Sequence, residues 1–85
     1  MHELSLAMEV CRVTAEHLVT LEGQLVAVGV EVGDDAGIEP ANFAFCLEAL
    51  LAGPPFLGAR LEIIPVSGDV LRLHHLEVDD GRPDN

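Results

Sequence analysis

Four valines at alternate positions, Val26, Val28, Val30 and Val32, are separated by Ala27, Gly29 and Glu31. This period of two describes a strand with one apolar face, and its other face, small or charged, is expected to meet water. A valine face of that kind needs a cover, and the flanking segments offer it. Leu4, Met8, Cys11, Ala15 and Leu18 recur at helical spacing, so residues 4–20 read as an amphipathic helix ended by Gly23. Glu9, Arg12 and Glu16 fall on another face, with Glu9 and Arg12 an i,i+3 pair.

After the loop Gly33-Asp34-Asp35-Ala36-Gly37, Pro40 suits the first turn of a second helix, where its missing N–H costs nothing. Phe43, Cys46, Leu47, Leu50 and Leu51 form that helix's stripe, and Gly53-Pro54-Pro55 stops it. Two strand-like runs follow, 59–66 and 70–78, and Ser67-Gly68-Asp69 between them reads as a hairpin link. Leu71 and Leu73 share one parity, Leu76 and Val78 the other. A period-two pattern changes phase only through a bulge, which is placed at His74-His75.

The expected fold is therefore α/β of the α+β type. Its order is helix-strand-helix-strand-strand, a three-stranded sheet with two helices on one face. Val28, Val30, Phe45, Leu47, Leu61, Ile63, Leu73 and Leu76 are the expected core. With 85 residues, 49% of them apolar, the chain reads as one domain over residues 1–80, followed by an acidic tail at 81–85 that is expected to be disordered.

Charge narrows the partners. Fifteen acidic residues against four arginines and no lysine give a net charge of −11. Nucleic acid and anionic membranes both need a basic footprint and are excluded. No apolar run has the length of a membrane span. The start lacks a signal peptide's basic flank and apolar stretch. A cytoplasmic location follows, with Cys11 and Cys46 as reduced thiols.

Few residues suggest chemistry. At the amino terminus, the Met1 amine, the His2 imidazole and the backbone amides of residues 2 and 3 could close fused chelate rings. A planar nitrogen set of that kind suits Ni(II) or Cu(II). The plainer alternative is that His2 is a solvated surface residue at a frayed end. His74-His75 with nearby acids is a second candidate. Neighbours in a strand point to opposite faces, so the pair is poor bidentate geometry unless a bulge changes its aim, and a solvated pair is the simpler account. Glu77, Asp79, Asp80 and Asp84 read as a solvated end, Asp34-Asp35 as turn chemistry and His17 as helix surface. Neither Ser5 nor Ser67 has a histidine–acid partner in view, and a phosphate loop is missing, so an enzyme is not expected.

Taken in order, several stretches resemble one family. They are Met1-His2-Glu3-Leu4-Ser5-Leu6, Val30-Glu31-Val32-Gly33, Gly37-Ile38-Glu39-Pro40, Phe45-x-x-Glu48-Ala49-Leu50, Gly58-Ala59-Arg60-Leu61-Glu62-Ile63, Leu71-Arg72-Leu73 and Leu76-Glu77-Val78. The set resembles the HypA/HybF family of hydrogenase nickel-incorporation proteins. The resemblance implies a nickel metallochaperone for [NiFe]-hydrogenase maturation and, in some organisms, urease. It implies that the Met1 amine, His2 and the Glu3 amide hold Ni(II), and that Glu39 matches an acidic position connected with the nickel site. The implied partners are a nickel-handling GTPase, the hydrogenase large subunit and urease accessory proteins, with oligomeric state left open, a homo-oligomer included.

The family carries a zinc ribbon with two CxxC pairs between its last two strands. Here Pro65-Val66-Ser67-Gly68-Asp69 stands in that place, so zinc is not expected. The alternative reading is a protein-interaction module of the same fold that has lost metal delivery.

Overall fold

The computed structural model describes residues 2–81; Met1, a proposed ligand, and residues 82–85, most of the proposed tail, lie outside the described residues. The element order is α1 (Glu3–Leu18), β1 (Gln24–Gly33), α2 (Pro40–Leu51), β2 (Arg60–Val66) and β3 (Leu71–Asp79). This is the expected α+β order, and Pro40 opens α2 as anticipated. The first helix ends two residues earlier than its expected limit, at Leu18.

The strand order is β2-β1-β3. β1 runs parallel to β2 and antiparallel to β3, so the valine strand is the central one. The expected hairpin between β2 and β3 is therefore incorrect. The two occupy opposite edges, and the link after Val66 arches over the end of β1. Spanning two strand spacings, about 10 Å, is within reach of four residues. The end of β1 is tied to that link. Gly33 N–H donates to Val70 O at 2.7 Å, Asp34 N–H to Val66 O at 2.9 Å and Asp35 N–H to Gly68 O at 3.0 Å. Asp34 Oδ1 accepts the Gly68 N–H at 2.8 Å. A β-carbon at Gly33 would lie 2.0 Å from Gly68 O, so only glycine lets the link pass this closely.

Two bulges set the phase of the sheet. Gly29 pairs with His75 and Val30 with Leu73, leaving His74 as the extra residue. The phase change read at His74-His75 is real. A second irregularity, between Leu25 and Ala27, turns Val26 outward (41% exposed) and Leu25 into the core. The four-valine face is therefore three valines and a leucine.

Both helices cover that face. Ala7, Val10 and Cys11 of α1 and Phe43, Leu47 and Leu51 of α2 cluster with Leu25, Val28, Val30 and Val32. Burial pushes the Cys11 thiol pKa up. The buried Thr14 hydroxyl donates to Val10 O at 2.8 Å, one helical turn back, and so carries no unmet hydrogen bond. Leu61, Ile63, Leu73 and Leu76 are half-buried at the rim of the core.

Two side-chain expectations fail. Phe45 is 72% exposed, whereas Phe43 is fully buried. Two residues apart on a helix are near-opposite directions, so only one ring can face the sheet. In α1, Leu4 and Met8 point outward at 52% and 56% exposure. The inner stripe is instead Ala7, Val10, Cys11 and Thr14. It is rotated by part of the roughly 100° that separates successive helical residues, because α1 packs on α2 as well as on the sheet.

Candidate metal centre

The amino terminus leads directly into α1. His2 is the N-cap residue, with extended backbone, and its imidazole makes no capping hydrogen bond. Its carbonyl accepts the Leu6 N–H at 3.2 Å, which closes the first turn. The imidazole is solvent-exposed, and no side-chain cap commits it to the helix.

Glu3 joins this turn to α2. Its carboxylate accepts the Glu39 N–H at 3.3 Å and the Asn42 amide Nδ2–H at 3.1 Å. The Glu39 backbone N–H contributes most to holding the Glu3 carboxyl below its ordinary pKa. Glu39 is itself the N-cap of α2, and its carboxylate accepts the Asn42 N–H at 2.5 Å. Glu3 and Glu39 therefore converge on Asn42, beside His2. Of the four sequence-proposed ligands, three lie in this corner, and Met1 is outside the described residues.

The open face of the sheet holds a second cluster. His75 Nε2 lies 3.1 Å from Glu62 Oε1 and 3.9 Å from Glu77 Oε2. Arg60 Nη2 reaches Glu62 at 2.8 Å and Glu77 at 3.3 Å. The Arg60 guanidinium is the main cause that lowers the Glu62 pKa. Ala27 and Gly29 beneath are buried, not solvated as their small side chains first suggest. Among the described residues, Glu62, His75 and Glu77 are the group of three side chains brought within metal-ligating distance of one another. The sequence reading of His74-His75 as a solvated pair with poor bidentate geometry misses this cluster, because the Glu62 carboxylate reaches His75 from β2 across β1.

The family model described as hydrogenase/urease nickel incorporation, metallochaperone, HypA, matches residues 1–72. The chain belongs to the HypA family. The chain is 38% identical over 69 residues to the hydrogenase maturation factor HypA of Azotobacter vinelandii, covering 80% of this chain and 61% of that protein. Identity to the HypA of Geobacter sulfurreducens is 38% over 71 residues, covering 80% and 60%. Identity to the HypA of Aeromonas hydrophila subsp. hydrophila is 40% over 63 residues, covering 72% and 55%. The chain thus spans at most 61% of the length of these HypA relatives. No solved structure matches it significantly. No described helix is long and apolar enough to cross a membrane.

Proposed function

We propose that this chain carries Ni(II) as cargo at its amino terminus and surrenders it during [NiFe]-hydrogenase maturation, in the cytoplasm. It does so by delivery, with no catalytic step. The Met1 amine, the His2 imidazole and backbone amide nitrogen up to Glu3 supply a planar nitrogen set. The amides ionise only as the metal binds. The side chains of Glu3 and Glu39 act around that set. One observation carries the reading: the Glu3 carboxylate holds the first turn of α1 against the Glu39 N–H and Asn42, next to an imidazole left uncommitted by the helix cap. Family membership supports nickel as the ion.

A chain-end site suits a carrier, because it is open on one side and can be approached by a partner. The partners of this reading are a nickel-handling GTPase and the hydrogenase large subunit, with urease accessory proteins as further recipients. The test is nickel titration of tag-free protein beside His2→Ala. The parent binds one equivalent at a yellow, diamagnetic, square-planar centre, and His2→Ala loses that signature. Identical titrations of the two proteins would overturn the reading.

A further inference from the structure

The open face of the sheet, turned away from both helices, carries an arrangement that the amino-terminal reading does not use. Pairing across β1 places Arg60, Ala27 and Glu77 in one row and Glu62, Gly29 and His75 in the next. Side chains on the two outer strands start about 10 Å apart, two strand spacings. They meet here because the residues between them are alanine and glycine. The His75 ring lies directly over Gly29, where a β-carbon would fall 2.2 Å from Cε1. In that position one ligand atom each from Glu62, His75 and Glu77 lies within 4.8 Å of the others.

A second observation points the same way. The bulge brings the two imidazoles to one side, with His74 Nδ1 2.7 Å from His75 Nδ1. Without metal, His75 Nε2–H can donate to Glu62 and Nδ1 can accept from His74. In the other tautomer His75 Nδ1–H donates to His74, and the Nε2 lone pair is turned toward the two carboxylates. Metal-bound imidazoles make this same outer contact, giving their far N–H to a fixed acceptor. His74 is thus a positioning residue.

We propose that Glu62, His75 and Glu77 bind a first-row divalent cation of the Zn2+ or Ni2+ type, with water completing the coordination. One imidazole and two carboxylates suit such ions, and three protein ligands leave the site open. Arg60 bridges the two carboxylates when metal is absent and must release them when it binds. It therefore competes with the ion. The proposal does not rest on the amino-terminal site.

The test uses the full chain with His2→Ala and an acetylated amino terminus, so that the other site is removed, and Zn2+ alone as probe. Calorimetry and long-range 1H–15N spectra of the imidazoles are the readouts. One equivalent of Zn2+ should shift the His75 Nε2 resonance and fix the ring as the Nδ1–H tautomer. Glu77→Gln, nearly isosteric, should weaken binding by about tenfold or more, at least what loss of an outer contact costs. His74→Ala should weaken it while His75 Nε2 still carries the shift. Arg60→Gln should tighten it by removing the competing cation. Circular dichroism confirms that each variant is folded. Unchanged Zn2+ affinity in both Glu77→Gln and His75→Gln, or a shift confined to His17, would overturn the proposal.

Discussion

The Glu3 carboxylate accepts the backbone N–H of Glu39 at 3.3 Å, across 36 positions of sequence. This contact ties the first turn of one helix to the cap of the other, and it has a pH signature. Glu3's folded pKa is lowered, chiefly by the Glu39 N–H. Its contribution to stability is therefore present above the ordinary carboxyl value, about 4.3, and is lost as pH falls through the lowered one. Urea midpoints measured from pH 6 down to pH 3 should fall less steeply for Glu3→Gln than for the parent. Parallel curves would mean that the contact does not couple to folding.

Phe43 and Phe45 should separate cleanly in denaturation. Phe43 is fully buried between α2 and the sheet. Phe43→Ala should cost about 3–5 kcal/mol. Phe45→Ala, at a ring 72% exposed, should stay within about 0.5 kcal/mol of the parent. Equal losses in the two variants would contradict the assigned inner face of α2.

That pair shows where sequence pattern stops. The alternation in β1, Pro40 at the start of α2 and the phase change at His74-His75 are local signals, and each corresponds to a feature of the fold. Which ring of α2 faces inward depends on how the helix is rolled on its neighbours. Strand order is also non-local. Ser67-Gly68-Asp69 can close a hairpin or arch over an intervening strand, and Gly33 decides between them only once its contact with Gly68 is known. The Glu62–His75–Glu77 cluster was hidden for the same reason, since its members meet only across a central β1. In the amino-terminal corner, His2 and Glu3 are adjacent in sequence, whereas the contact of Glu3 with Glu39 needs the packing of α1 on α2.

Gly33 offers a direct test of the arching link. A β-carbon there would sit 2.0 Å from Gly68 O and 2.7 Å from Val70 N, both backbone atoms that cannot swing away. Gly33→Ala should therefore destabilise by about 1–3 kcal/mol or more. Gly53→Ala is the matched control, because nothing lies within 4 Å of its β-carbon position. Its urea midpoint should be close to the parent's. If Gly33→Ala also left the midpoint in place, β2 and β3 would have to be joined by another path.

Nickel binding at the amino terminus should be steeply pH-dependent. The proposed ligands compete with protons, because the amine and the imidazole bind metal only in their unprotonated forms and the amides ionise only with metal. Affinity should therefore fall as pH drops from about 7.5 to about 6. Acetylating the amino terminus should abolish the planar spectrum as fully as His2→Ala does, because each removes one of its nitrogen donors. His74→Ala should leave that spectrum unchanged, since His74 lies on β3 and contacts His75. Cu(II) should displace Ni(II) from the isolated protein, following the ordinary order of divalent affinities, so selectivity for nickel would have to come from metal supply and partners. Absorbance titrations at two pH values, with the acetylated and His74→Ala proteins alongside, check all of this. A planar nickel spectrum that survives both acetylation and His2→Ala would overturn the amino-terminal site.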